Sequence, residues 1–407
     1  MQKILFLTTS NLSTNPRLLK ELKMVKGKFS ATVLCFEMGN WSDDLDKQVL
    51  SEVGGTEIIY LPAHRKNLIE WLAASLANKL FQSIWPFTKK SRFASAVSNN
   101  KRSLQLWWFL KSNKNRFKDY KLIVAHNLGA LYPAYYLSEL LSVPFAFDVE
   151  DYHPGEKIDH DRENEVARRK YLMQTMLPQA ALVTGASPLI CKEVEKLCHT
   201  KVVNINNSFF SSEFLYAGRK EMGGKVNLVW FSQHISHGRG LEVCLPVLDQ
   251  LQEFISLTLI GSLNKSFEEQ WLRNRLYVTV LSPMEQKALH QELATYDIGL
   301  ALELRSTDFN REIALTNKIF AYLQAGLYVV ATDTKAQTLL MQQYPAHGAV
   351  CEQSEKSIFG TLDNLITKIC EIRDHKVNRY AAMKEISYEN EGNKLLSLWT
   401  TVINESQ

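Results

Sequence analysis

Arg239 and Gly240 stand at the opening of a helix directly behind an apolar strand, a placement that suits a diphosphate. The run Val229-Trp230-Phe231-Ser232-Gln233-His234-Ile235-Ser236-His237-Gly238-Arg239-Gly240-Leu241-Glu242 reads as strand, polar loop, then helix. A guanidinium can grip phosphate bidentately, and the unpaired N–H groups of a helix N-terminus add partial positive charge. Gly238 and Gly240 would let the backbone approach the ligand; a surface salt bridge is the plain alternative for Arg239. Two more polar clusters follow apolar strands, Val124-Ala125-His126-Asn127-Leu128-Gly129 and Asp148-Val149-Glu150-Asp151-Tyr152-His153. Ligands of open parallel sheets bind outside the carboxyl ends of the strands, which makes His126, Glu150, Asp151 and His153 candidate site residues. Against this, a lone loop histidine is often simply a hydrogen-bonded structural residue. Metal binding by Asp148, Glu150, Asp151 and His153 is the weaker idea, and no metal is expected. After the first strand, Asn15-Pro16 reads as N-cap and first helical residue. Asn15 and Arg17 are assigned to the same cleft, the alternative being only a well-capped helix.

The elements that must position these groups alternate regularly. Strand candidates are Ile4–Leu7, Thr32–Phe36, Ile58–Leu61, Leu122–Ala125, Phe145–Val149, Ala181–Thr184 and Val202–Ile205, with helices at Arg17–Val25, Leu131–Leu141, Glu163–Met176 and Pro188–Leu197. The rhythm restarts after a polar stretch, Asn206 to Lys225, with strands Val226–Phe231, Ile255–Ile260, Tyr277–Val280, Ile298–Leu302 and Tyr328–Ala331. Ser282-Pro283 reads as cap and first residue of a helix over Pro283–Ala294. Such alternation predicts parallel sheets with right-handed crossovers. It divides the chain into 1–206, 207–385 and a final helix, 386–407, whose stripe of Leu395, Leu398, Trp399 and Val402 needs a partner.

The stretch Glu303 to Asp333 contains a helix, Leu315–Ala325, ended by Gly326, then the strand Tyr328–Ala331. Gly326 fits the position after a helix where the left-handed conformation is wanted. The segment NKIFAYLQAGLYVVATD resembles the A-x-G-x-P-V-V block of sugar-nucleotide-dependent glycosyltransferases of the two-Rossmann-domain (GT-B) type, and the chain is similar to glycosyltransferase family 4. The resemblance implies an α/β protein of two Rossmann-like parallel-sheet domains facing a central cleft. It implies transfer of a sugar from a nucleotide-sugar, as co-substrate, to a glycan or lipid-linked acceptor in polysaccharide or glycoconjugate biosynthesis, with retention of configuration and no cofactor. Arg239 would stand for the family's loop lysine and Gln233 roughly for its arginine. Gly240, Gly261, Asn317 and Lys318 would lie at the donor, Lys318 as a second cation for the phosphates; its plain reading is a solvated helix residue. His126 and Asp151 would position sugar and acceptor, with Asn15, Arg17, Glu150 and His153 on the acceptor side. One feature departs. The family's two glutamates, eight residues apart, would fall on Ile313 and Ala321, with Glu312 one position off and Glu303 too distant. A non-catalytic scaffold and a sugar-nucleotide epimerase are the alternatives.

Four hundred and seven residues, 45% apolar and 22% charged, describe an ordinary two-domain globular chain. A net charge of +4 does not call for nucleic acid, and six cysteines without a C-x-x-C pair read as reduced, buried thiols. The N-terminus lacks a signal peptide pattern, and no run reaches the ~18 apolar residues of a membrane span, so the expected location is cytoplasmic or on the inner face of a membrane. From His64 to Lys118 the chain carries twelve Lys/Arg against Glu70 alone, together with Trp71, Trp85, Trp107 and Trp108. Cationic, tryptophan-bearing helices favour an anionic membrane surface. The alternative makes Leu68, Leu72, Leu76, Leu80 and Trp107 ordinary core residues.

Overall fold

The computed structural model describes residues 1–40, 42–216 and 224–406; residues 217–223, in the polar stretch read as a boundary, lie outside them. The chain divides into two compact units, Met1–Asn206 with Gly392–Gln407, and Asn207–Glu391. Within the described residues, unit 1 holds a seven-stranded sheet ordered β3-β2-β1-β4-β5-β6-β7. The strands are β1 Lys3–Thr8, β2 Ser30–Glu37, β3 Glu57–Pro62, β4 Tyr120–His126, β5 Phe145–Val149, β6 Leu182–Gly185 and β7 Val203–Asn204. Every pairing is parallel. Ile4 to Leu7 are fully buried, as a central strand covered by helices on both faces must be. The strand order reverses at β1 and β4, which makes their carboxyl ends the natural place for a ligand.

Register then builds a polar row there. Thr8 pairs with His126, His126 with Asp148, and Asp148 with Thr184 across four neighbouring strands. The basic segment between β3 and β4 is a cluster of helices, including Leu68–Ser83, Arg92–Asn99 and Lys101–Ser112, around Ala74, Val97 and Leu104.

Unit 2 holds a six-stranded parallel sheet ordered β10-β9-β8-β11-β12-β13. Its strands are β8 Val226–Ile235, β9 Ile255–Leu263, β10 Val278–Leu281, β11 Ile298–Ala301, β12 Tyr328–Thr332 and β13 Gly348–Cys351. The strands β8 and β9 run beyond their apolar cores because pairing resumes after an irregularity between Phe231 and His234. β13 has no sequence counterpart above: of its residues Gly348, Ala349, Val350 and Cys351, only Val350 is β-branched. The helix expected over Pro283–Ala294 begins only at Gln286, without a side-chain cap, and Ser282 to Glu285 carry no regular structure. Pro283 therefore sits before the helix instead of opening it. Five cysteines are buried, Cys370 is exposed, and all six are free thiols.

The last helix, Tyr388–Glu405, enters unit 1 at Gly392. Leu395, Leu396, Trp399, Val402 and Ile403 join the core that holds Phe6, and the Trp399 ring meets Phe6 edge-on at 5.7 Å. In unit 2 the helix Asn317–Gln324 ends ahead of Gly326, whose φ of +74° places it in the left-handed region. A Cβ there would lie 2.9 Å from Tyr380 Cβ and 3.0 Å from the Lys376 carbonyl oxygen. Gly326→Ala is expected to destabilise the protein by ~1–2 kcal/mol or more, from the conformation alone, read as a lower urea midpoint. An unchanged midpoint would contradict the geometry.

Candidate active site

The polar row at the end of the unit 1 sheet is an ion network closed to solvent. Asp148 accepts from Arg17 Nη2 at 2.8 Å and also from Arg17 Nε and the Thr184 hydroxyl. Arg17 Nη1 donates to the Ile205 carbonyl at 2.8 Å. His126 Nε2 lies 2.8 Å from Glu21 Oε2, and its Nδ1 lies 3.3 Å from Glu150 Oε1. Burial alone would push the His126 imidazole down. The Glu21 charge, with hydrogen bonds to Glu150 and Glu21, outweighs it and raises His126 to about 10. Burial raises Glu21; Asp148 is lowered, burial being overridden by Arg17. Glu21, His126 and Asp148 are close enough to share a metal ion, but the arginine and the imidazolium already balance those carboxylates, so the set does not suit one.

Three expectations change here. His126 is fully buried and holds carboxylates on both nitrogens, so it orients Glu150 instead of touching sugar or acceptor. Arg17 is 1% exposed and committed to Asp148. Asn15, also 1% exposed, is the N-cap of the helix Pro16–Val25, its Oδ1 accepting from Leu18 N at 3.1 Å. Neither faces a ligand. Glu21 was not singled out from the sequence. The signal was present: Arg17 and Glu21 are four residues apart beside the apolar stripe of Leu18, Leu22 and Val25, so the pair turns inward with it.

Outside the row lies a cavity of ≈ 290 Å³ whose walls include Asn99, Asn100, Arg102, Asn127, Glu150, Asp151, His153, Glu156 and Arg169. It belongs to unit 1 alone. Glu150, Asp151 and His153 were expected near a ligand; Arg102, Arg169 and the asparagines were not, because the sequence gives no sign that the basic helices return to this strand end. His153 Nδ1 faces Glu156 Oε2 at 3.2 Å, and Arg169 Nη1 donates to the same oxygen at 2.6 Å. Buried His153 Nε2 has no hydrogen-bond partner among the described residues. Burial would lower His153, but Glu156 outweighs it and the imidazole is raised. Arg102 donates to the Thr9 carbonyl and has no carboxylate partner among the described residues; burial lowers it. Three cationic or basic side chains stand against three carboxylates, with amides between. Such a wall offers donors and acceptors without net charge, which suits hydroxyl-rich ligands.

In unit 2, Arg239 is half-buried and makes no ion pair or hydrogen bond among the described residues. It precedes Gly240, the N-cap of the helix Leu241–Gln250. The Gly238 N–H of the same loop donates to Glu242 Oε1, and Gln233 is exposed. Gly261 is required by close approach, since a Cβ there would lie 2.1 Å from the Ser232 carbonyl oxygen. Asn317 opens its helix and accepts from Asn207 Nδ2 at 2.7 Å. Lys318 is neither solvated nor a free second cation. It is 8% exposed, 3.1 Å from Glu303 Oε1, with its ammonium 5.0 Å from the Trp230 ring centre. Arg311 Nη1 donates to the other Glu303 oxygen at 2.8 Å. Burial would raise Glu303; Lys318 and Arg311 hold it below its usual range.

These two sheets and their connections are those of known structures along the whole chain. The HepE protein of Anabaena, solved in complex with UDP-glucose, is 13% identical, with a TM-score of 0.66 over 98% of this chain and 100% of that one. Sucrose-phosphate synthase of Thermosynechococcus elongatus is 10% identical, with a TM-score of 0.69 over 100% of both chains. A protein of Listeria monocytogenes described as a UDP-N-acetylglucosamine 2-epimerase is 9% identical, with a TM-score of 0.59 over 97% of this chain and 95% of that one. No family model matches the chain, and no curated protein matches it in sequence. The fold is therefore GT-B, and the narrower likeness to family 4 rests on its residues alone.

The His126 proton is held to about pH 10 in the native state and released near 6.5 when unfolded. Its contribution to stability is complete below pH 6.5 and declines as pH rises towards 10. The wild-type urea midpoint is expected to fall over that window, and that of His126→Gln to fall less steeply. Parallel slopes would show that His126 is not the group responsible.

Proposed function

We propose that the chain is a glycosyltransferase that moves a sugar from a nucleotide-sugar to a glycan or lipid-linked acceptor. In the reaction the bond between the anomeric carbon and the donor diphosphate breaks and a bond from that carbon to an acceptor oxygen forms. The acceptor's hydroxyl proton passes to the oxygen of the departing nucleoside diphosphate, which leaves as an anion. Arg239 would meet the charge that develops on the departing diphosphate. The charge-balanced cavity of unit 1 would take the hydroxyls of the acceptor, with Glu150, Asp151 and His153 in contact. Retention of configuration and a role in polysaccharide or glycoconjugate biosynthesis follow the family resemblance. The reaction would run in the cytoplasm or at the inner face of an anionic membrane, without cofactor, metal or nucleic acid.

The reading is carried by one conjunction: an arginine at a helix N-terminus, unpaired among the described residues, on a fold that structures with bound UDP and UDP-glucose share over 98% of the chain. The epimerase-like neighbour keeps a second reading in view. It differs in needing no acceptor.

Titration with nucleoside diphosphates by calorimetry tests the proposal. At least one, UDP being the first to try, is expected to bind, and Arg239→Ala to weaken it about 10- to 100-fold, as befits a charge-assisted contact worth ~1.5–3 kcal/mol. Absence of binding by every nucleotide would favour a scaffold. Conversion of a nucleotide-sugar to its epimer without acceptor would favour the second reading.

A further inference from the structure

We infer that the outward face of the helix Leu68–Ser83, with Phe87 just beyond it, docks on an anionic lipid bilayer. The inference deepens the proposed reading, naming the surface on which a lipid-linked acceptor would be met, and depends on that reading only for this purpose. Ile69, Leu72, Leu76 and Leu80 are spaced three, four and four residues apart, one narrow stripe of a helix. They are 81%, 43%, 67% and 56% exposed, Leu68 is 51% exposed and Phe87 90%. The opposite face is committed to unit 1: Ala74 packs with Val97 and Leu104, and Phe81 meets the Phe93 ring at 5.8 Å. The helix is thus apolar on two sides, and only one is covered. A second apolar side needs a second apolar environment, and a contiguous exposed patch of this kind marks a contact surface.

Charge selects the partner. Lys79, Lys89 and Lys90 are exposed beside the patch and form no ion pair among the described residues. Of the twelve cations from His64 to Lys118, Lys66 and Arg116 pair with Glu37 and Glu57 and Arg102 lines the cavity, so Lys79, Lys89 and Lys90 supply the charge beside the stripe. A symmetric pairing of two copies would set this patch against itself, cation facing cation. Anionic headgroups would neutralise it while the acyl boundary receives the leucines. The tryptophans expected to anchor such a surface do not: Trp85 is 1% exposed, and Trp107 packs between Phe93 and Tyr136. Trp71 lies under Arg65 and Lys101, at 5.2 and 4.6 Å. The anchors are the aliphatic stripe and Phe87.

Flotation of the full chain with phosphatidylcholine vesicles, with and without phosphatidylglycerol, tests this. Recovery with anionic vesicles should exceed that with neutral ones by roughly tenfold or more at low salt. Leu72→Asp/Leu76→Asp should abolish it without changing the thermal melt, since both side chains are exposed. Should that pair unfold, Ile69→Ser/Phe87→Ser provides the same reading at the most exposed positions. Lys79→Gln/Lys89→Gln/Lys90→Gln should reduce recovery and its salt dependence. Equal recovery with both vesicle types, recovery with neither, or stripe variants that float like wild type would overturn the inference. So would a wild-type dimer that the stripe variants dissociate and that does not float. Nucleotide binding measured on the same samples separates the two claims: binding without flotation removes the docking surface and leaves the transferase reading standing.

Discussion

Asp148, one residue before the end of β5, keeps its carboxylate inside unit 1, and the end of that sheet is arranged around holding it there. A carboxylate so placed is costly unless paired and hydrogen-bonded, and removing one partner of such a pair typically destabilises by ~3–5 kcal/mol. Arg17 supplies a fork, Thr184 a hydroxyl, and the His126 imidazolium a second positive charge 3.7 Å away. His126 in turn needs Glu21 and Glu150. The chain of dependence runs outward from the strand end, and its last member, Glu150, is the first to reach the cavity. Unit 2 repeats the logic with different parts, Glu303 beyond β11 being held between Lys318 and Arg311. In both units the charged groups at the sheet end answer one another. Away from these sheet ends, Asp151 and His153 line the cavity of unit 1, and Arg239 makes no ion pair among the described residues of unit 2.

This explains which parts of the site were legible in the sequence. Strand-then-polar-loop patterns located both sheet ends, because apolar β runs and turn residues are local signals. Gly326 and the Trp399 stripe were legible for the same reason, each announcing a conformation or a face within a few residues. Register is not local. Nothing in the segments around His126 and Asp148 says that β4 and β5 are neighbours aligned to bring these two residues side by side, and without that alignment both look like free polar groups. Arg102 and Arg169 are further cases: they belong to helices whose composition reads as solvated, yet they line the cavity through tertiary packing.

The basic segment shows the limit of periodicity from the other direction. Leu68, Leu72, Leu76 and Leu80 have the spacing of a core-facing stripe, and a period of 3.6 residues carries no information about which side of a helix the protein occupies. Here Ala74, Ala77 and Phe81 take the inner side. Small residues allow close packing against Val97 and Leu104, and the larger aliphatic side chains are left outside. Tryptophans, the more conspicuous interfacial residues, were drawn into aromatic contacts with Phe93, Tyr136 and neighbouring cations.

The family's carboxylate pair, absent in register, takes on a definite physical meaning once its positions are seen. Ile313 and Ala321 are 2% and 0% exposed, so the local backbone sends both into the core, where a glutamate would be an unpaired buried charge. Their apolar identity is therefore what this packing requires, and no surface substitution would restore the pair. The carboxylates that do stand nearby behave differently from each other. Glu303 is engaged on both oxygens, whereas among the described residues Glu312 accepts no hydrogen bond at Oε2 and has only long ion contacts, 3.8 Å to Arg305 and 3.9 Å to Lys335. The paired carboxylates that the resemblance implies are thus not replaced by an equivalent pair at these two positions.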